Sequence, residues 1–364
     1  MKPKKVLLFP LLRDIQVIPP TISIINYLAE QDYKIVIYTY YTNVIFSHPN
    51  IEIINFSKKP YPVRLIDRIL AKCVFQYKFY KYFANNKKEI KAIWMGAWDI
   101  WGINLIRGNI KLIYQYHEYE EENFSYCRKA DFVVVPEENR GWITYFKADL
   151  KRRPLLLPNI PNYGELDIQV DQEILKFQKE GKIVILYSGL IDNKKRNLFE
   201  IVGAFTHLPE NYILVIIPSF VKVRNDFEDL VNYIQEKGLG ERVKFLDPRI
   251  PPLHLNTIAT ADIGIGLYNA ISLNNVYAAP NRLYEFVNFG TPIILPNYPS
   301  FKALSVAYPY AVNVVDSLSP ESIAEVIIRI YTNNELAKKS IELFRVKEGN
   351  YNYYASKLTE RVFK

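Results

Sequence analysis

Cysteine is nearly absent from this chain. Cys73 and Cys127 are the only two in 364 residues, too few for a disulfide framework. Neither sits in a Cys-x-x-Cys or His-rich cluster, which argues against a structural zinc site and favours a reducing compartment. Histidine is also scarce, with 4 residues in all. No apolar run approaches the roughly 20 residues of a membrane-spanning helix. Behind Met1-Lys-Pro-Lys-Lys the apolar stretch lasts only from Val6 to Leu12, interrupted by Pro10 and stopped by Arg13-Asp14, so no secretory leader is expected. The expectation is a soluble, cytoplasmic protein. No Gly-x-Gly-x-x-Gly follows a strand pattern, which argues against a dinucleotide-dependent dehydrogenase. No Asp-x-Asp stands in a loop after a strand, so no metal and no cofactor are expected.

What is present is an ordinary globular composition, 49% hydrophobic and 23% charged. The length suits two domains better than one core. A net charge of +8 points to an anionic partner, with nucleic acid, a nucleoside diphosphate and anionic lipid all compatible. Between Arg64 and Lys91, Lys72, Lys78, Lys81, Lys87 and Lys88 interleave with Phe75, Tyr77, Phe79, Tyr80, Tyr82 and Phe83. At helical spacing this gives an apolar face flanked by lysines, which suits either a membrane-surface helix or a helix with its aromatic side in the core.

Apolar β-rich runs alternate with helical patterns along most of the chain, the signature of a parallel α/β sheet. The first series of strands reads Lys5–Phe9, Lys34–Tyr40, Glu52–Ile54, Ala92–Met95, Leu112–Tyr116, Phe132–Pro136 and Leu155–Leu157. A helix is expected over Pro20–Gln31, another after Pro136. Pro158-Asn159-Ile160-Pro161-Asn162 breaks the pattern, and a polar stretch to about Lys182 reads as a linker. A second series follows. Its strands are Ile183–Gly189, Tyr212–Ile217, Val243–Leu246, Ile263–Leu267, Ile293–Leu295 and Val312–Val315. Its helices are Arg196–Phe205, Asn225–Lys237, Leu253–Ala261, one from Asn281, and Ser319–Asn333. Tyr351–Lys364 reads as a last helix. Two Rossmann-like domains result.

One stretch carries the most chemistry: Ala279-Pro280-Asn281-Arg282-Leu283-Tyr284-Glu285, closed by Gly290-Thr291-Pro292 before an apolar strand. Arg282 and Glu285, three apart, share a face near the N-terminus of a short helix, where free N–H groups and the positive dipole end gather. An arginine for phosphate oxygens and a carboxylate for vicinal hydroxyls is what a nucleotide-sugar site needs. Upstream, Tyr187-Ser188-Gly189-Leu190 leads through a glycine turn to Lys194-Lys195-Arg196, a cation run delivered to a sheet's carboxyl edge.

These landmarks resemble those of GT-B glycosyltransferases, the group-4-like enzymes in particular. The Asn281 segment resembles their "P-N-K-x-x-E-x-x-x-x-G-x-P" donor motif. The resemblance implies two Rossmann-like domains facing across a cleft, with a C-terminal helix crossing back to the first. The implied boundaries are 1–162 for the acceptor domain, 163–345 for the donor domain and 346–364 for the crossing helix. It assigns donor binding to Gly189, Lys195, Arg196, Asn281, Arg282 and Glu285, with Glu285 on the ribose hydroxyls. Leu190 stands where many members carry arginine, so Arg196 or Lys195 must supply that charge. Asp247-Pro248-Arg249-Ile250 resembles the turn that holds the nucleobase, and Ala261–Asn269, with Tyr268, the strand into the donor loop. The first Glu of the family's Glu-x7-Glu pattern is replaced by Tyr277.

In the first domain, Tyr116-His117-Glu118 and the run Ala130-Asp131-Phe132-Val133-Val134-Val135-Pro136 with Arg140 resemble the family's "H-E … A-D-x-V-x-x-P-x-x-x-R" series. Leu157-Pro158-Asn159-Ile160-Pro161 resembles its domain exit. His117 becomes the candidate beside the transferring sugar, with Glu118 the general base if the reaction inverts and Asp99 and Asp14 further acidic candidates. The implied activity is a metal-independent hexosyltransferase. It would move sugar from a nucleoside diphosphate sugar to a glycan or lipid-linked acceptor in surface polysaccharide or glycolipid synthesis. An anionic membrane surface is a partner through 64–91; nucleic acid is not expected. Two other readings share the fold, a nucleotide-sugar epimerase and a catalytically idle binding partner of another transferase.

Overall fold

The computed structural model describes residues 6–44, 46–162, 166–219 and 225–363. The chain divides into two compact units, residues 1–164 with 351–364 and residues 165–350. Lys5, at the start of the first expected strand, and the linker positions 163–165 lie outside the described residues.

The first unit is built on a seven-stranded sheet: β1 (Val6–Leu11), β2 (Lys34–Thr39), β3 (Ile51–Asn55), β4 (Ile90–Met95), β5 (Lys111–Gln115), β6 (Phe132–Val135) and β7 (Leu155–Leu156). The order is β3-β2-β1-β4-β5-β6-β7, and every pairing is parallel. All six residues of β1 are buried, as a strand covered by helices on both faces requires. The 22-residue helix Leu65–Asn86 splits in its role along its length. Phe75, Phe79 and Phe83 enter the core, the first two against Tyr38 and Phe83 stacked on Phe79. Its first two turns do not: Leu65, Ile66, Ile69 and Leu70 are each more than half exposed. The last helix, Tyr351–Phe363, belongs to this unit, with Tyr351 against Tyr27 and Phe363 against Tyr33.

The second unit repeats the plan with six strands: β8 (Ile183–Gly189), β9 (Tyr212–Pro218), β10 (Val243–Phe245), β11 (Ile263–Ile265), β12 (Ile293–Pro296) and β13 (Val312–Val315). Their order is β10-β9-β8-β11-β12-β13, again parallel throughout. Each sheet therefore reverses its winding once, between β1 and β4 and between β8 and β11. Ligands of open α/β sheets bind at the carboxyl edge at such a reversal.

Two expectations need correction. The polar stretch before Lys182 contains the helix Gln172–Lys179, capped by the Asp171 carboxylate, which accepts from the N–H groups of Glu173 and Ile174. The expected helix Arg196–Phe205 is broken at its start. Asn193–Arg196 forms a single turn, Asn197 turns left-handed at φ 51°, and the helix proper is Leu198–Ala204. Asparagine tolerates that conformation better than most residues. Among the described residues, no helix is long and apolar enough to cross a membrane.

Candidate functional site

The site of the second unit assembles at the β8/β11 reversal. Ser188 and Gly189 end β8, and Gly266 lies just beyond β11. The helix Asn281–Asn288 brings Asn281, Arg282 and Glu285 to the same edge. They line a cavity of about 290 Å³ together with Arg196, Ile258, Pro280 and Phe286.

Glycines make room for this helix. A Cβ on Gly264 would fall 2.2 Å from the Phe286 ring, and one on Gly266 would fall 2.8 Å from Arg282 Cδ. At Gly189, where φ is +153°, a Cβ would stand 2.2 Å from Arg282 Nη2. Bare backbone at these positions lets the Arg282 guanidinium lie down between the two strand ends. It rests over the Tyr187 ring at 5.4 Å.

Among the described residues, neither arginine of the cavity is in an ion pair with a carboxylate. Arg282 Nη1 and Arg196 Nε are buried without a hydrogen-bond partner. Burial and the neighbouring Arg282 charge both push the Arg196 pKa down from its ordinary value. Two like charges brought together away from water are costly unless an anion compensates them. Asn269 anchors the turn that presents them, donating from its backbone N–H to Lys195 O at 3.1 Å and from Nδ2 to Lys194 O at 2.7 Å.

Lys195 points elsewhere. Its side chain is 60% exposed, with Nζ 3.8 Å from the Asp192 carboxylate. Of the two cations that could stand in for the family's arginine, the structure brings Arg196 to the cavity. Arg249 and Ile250 are outside its lining: the Arg249 guanidinium is paired with Glu173 and lies 3.8 Å from Asp171, and Ile250 is exposed. Tyr268 is buried beneath Arg196, whose guanidinium is 5.7 Å from the ring. Glu285 faces a residue that sequence reasoning did not single out, His254 on the helix His254–Thr260. Thr291, in the Gly-Thr-Pro turn, donates its hydroxyl to Ile258 O at 2.6 Å and so ties the two helices' surroundings together.

In the first unit, His117 follows β5 at the carboxyl edge. Its Nε2 lies 3.4 Å from Thr21 Oγ1, which also donates to Gln115 Oε1 at 3.3 Å. Trp94 Nε1 donates to the same Gln115 oxygen at 3.0 Å, and Gly96 leaves the space a side chain would fill, 2.9 Å from Thr21 Oγ1. Arg140, itself buried, donates to the His117 carbonyl. Burial, helped by the Arg140 charge, lowers the His117 pKa to about 4, so the imidazole is neutral at neutral pH. Glu118 is exposed beside it. Asp99 is placed differently: its carboxylate is buried and accepts from Leu12 N–H at 2.9 Å, and burial raises its pKa. Asp14 caps a turn, accepting from Gln16 N–H at 3.1 Å and from the Thr42 hydroxyl at 2.7 Å.

No protein-family model matches the chain, and no curated protein matches it by sequence. Solved structures do match in shape. HepE of Anabaena, in complex with UDP and glucose, superposes with a TM-score of 0.69 at 12% identity, covering 98% of this chain and 99% of that one. Sucrose-phosphate synthase of Thermosynechococcus elongatus gives 0.73 at 16% identity, with 98% of each chain covered. WaaG, a glycosyltransferase involved in lipopolysaccharide biosynthesis, gives 0.63 at 14%, covering 98% and 99%. The chain has the GT-B fold of these glycosyltransferases, with two Rossmann-like domains, as the sequence resemblance implies.

Proposed function

We propose that the protein is a glycosyltransferase that takes its sugar from a nucleoside diphosphate sugar bound in the second unit. The observation that carries this reading is the pair of guanidiniums, Arg196 and Arg282, each with a buried nitrogen lacking a hydrogen-bond partner, at the β8/β11 reversal. Held there, a diphosphate gains bidentate hydrogen bonds, and its negative charge is stabilised as the sugar departs. That is the role a divalent metal has in other transferases, so the reaction is proposed to be metal-independent. Glu285 supplies acceptors for ribose hydroxyls. The fold neighbours support the donor class, since HepE has been captured with UDP-glucose.

The first unit takes the acceptor in this reading. Neutral His117 can exchange hydrogen bonds with sugar hydroxyls, and exposed Glu118 is free of the burial that fixes Asp99 to the Leu12 amide. Asp99 then acts by holding the β1 edge rather than by touching substrate. The acceptor is proposed to be a glycan or lipid-linked precursor at an anionic membrane face, with the protein cytoplasmic. Exposed Leu65, Ile66, Ile69 and Leu70 beside Arg64, Arg68 and Lys72 support that placement.

The test is incubation with a panel of nucleotide sugars, with and without chelator. Nucleoside diphosphate release that survives chelation is expected. Epimer formation would replace this reading with an epimerase, and absence of both would leave a binding partner.

A further inference from the structure

We propose that the first unit holds a second anion site, for a molecule carrying two or more clustered phosphate groups, in the cavity at the amino edge of its sheet. The cavity measures about 960 Å³ and opens where β6 and β7 begin, at the opposite edge from His117. Seven lysine and arginine side chains line it, against two carboxylates, Asp131 and Asp149.

The charges do not cancel within the cavity. Arg107 is committed to Asp131, with two guanidinium-to-carboxylate bonds of 2.5 and 3.0 Å. Its Nε is buried with no partner. Arg153 is drawn off to Glu138 at 2.6 Å and lies over Trp142. That leaves Arg128, Lys129, Lys151, Arg152 and Arg361 facing one carboxylate, Asp149. None of the five is in an ion pair with a described residue. Among the described residues Arg128 has only the Ala148 carbonyl as a hydrogen-bond partner, at 3.2 Å, while Arg152 and Lys129 lie over the Phe132 and Tyr126 rings.

The chemistry selects the ligand class. Three arginines among the five favour a planar, bidentate oxyanion over a simple halide. A lone phosphate cannot reach cations spread around a cavity of this volume, whereas linked phosphates can. Two sources present such groups: a free phosphorylated molecule, and a phosphate-bearing lipid headgroup. The site lies within the first unit, so it does not depend on the donor reading.

Calorimetry of the full chain with inorganic triphosphate tests the proposal, run in the presence of saturating UDP. Triphosphate is expected to bind despite UDP. The triple variant Arg128→Gln, Arg152→Gln, Arg361→Gln should lose about tenfold or more in that affinity, keep its melting temperature and UDP affinity, and show a shallower salt dependence. Competition that removes all triphosphate binding, or a folded triple variant that binds as wild type does, would overturn the site. If UDP itself does not bind, the donor reading fails, and the comparison with the triple variant still decides this one. Co-sedimentation with phosphatidylcholine vesicles, with and without cardiolipin, separates the sources. Retention lost in the triple variant and released by triphosphate assigns a lipid headgroup. Equal retention of both proteins, with triphosphate binding intact, assigns a free phosphorylated molecule.

Discussion

His254 Nε2 stands 3.4 Å from Glu285 Oε1, both side chains largely buried, one from each of two neighbouring helices. The other ring nitrogen of His254 is buried with no hydrogen-bond partner. A carboxylate oxygen held this close to a ring nitrogen of the neighbouring helix is restrained, so the pair limits where Glu285 presents its second oxygen. Removing Glu285 as Glu285→Ala should therefore cost about 1.5–3 kcal/mol of nucleotide affinity. His254→Ala should cost less, about 1 kcal/mol, since the carboxylate remains and only its aim is lost. Calorimetry with UDP checks both; unchanged affinity in Glu285→Ala would remove this residue from the site.

Arg196 and Lys195 are adjacent in sequence but separable in effect. Arg196→Ala should weaken a nucleoside diphosphate strongly and the free nucleoside little, with the gap shrinking in high salt. Lys195→Ala, which alters an exposed side chain, should change either affinity by about 0.5 kcal/mol or less. Equal losses for both ligands would show that Arg196 does not meet the phosphates.

The glycines under the Asn281–Asn288 helix give a different readout. Gly264→Ala drives a methyl group into the Phe286 ring and should lower stability by about 1–3 kcal/mol in urea unfolding. Gly266→Ala meets the flexible Arg282 side chain instead, so nucleotide affinity should fall more than stability. A Gly266→Ala protein with wild-type UDP binding would contradict the proposed seat of the guanidinium.

His117 links stability to pH. Its pKa is depressed to about 4 from an ordinary 6.5, so between these values the unfolded chain binds a proton that the folded chain refuses. Stability from this residue is therefore full above pH 6.5, falls as pH drops toward 4, and falls no further below. The loss is at most about 3 kcal/mol. The difference in unfolding free energy between wild type and His117→Gln should change across that window and be flat on either side. A flat difference throughout would mean the imidazole titrates normally.

The exposed start of the Leu65–Asn86 helix can be tested on vesicles. Anionic vesicles should retain the protein reversibly with salt, each cation near the surface contributing about 1 kcal/mol. Changing Lys72, Lys78, Lys81, Lys87 and Lys88 to Gln should weaken retention. Replacing Ile66, Ile69 and Leu70 with Ser should weaken it further without loss of fold, because these side chains are outside the core. Binding indifferent to lipid charge, or intact in both variants, would leave the helix without a membrane role.

The sheets were legible because their central strands β1, β2, β8 and β9 are buried on both faces, and such strands read as near-continuous apolar runs. The helix Gln172–Lys179 was not, since Ile174 is its one fully buried side chain and five of the other seven residues are polar or charged. The spacing of Arg282 and Glu285 put them on one face of a short helix, but their donor role rested on the family resemblance. His254 could not be read, because local sequence does not say that its helix packs beside the Asn281–Asn288 helix. The glycines were partly legible: Ile263-Gly264-Ile265-Gly266 alternates glycine through a strand, a sign that another group approaches the backbone closely.

The Asn281–Asn288 helix begins at Pro280, whose side chain makes no capping hydrogen bond. Its first turn thus lacks the serine or aspartate that would ordinarily finish it. An anion seated between Arg282 and Arg196, as proposed, would meet the N–H groups of that turn and stand in for the missing cap. Helix capping and donor binding would then be one interaction, so a substitution at Arg196 or Arg282 that removes the anion would also leave this helix uncapped.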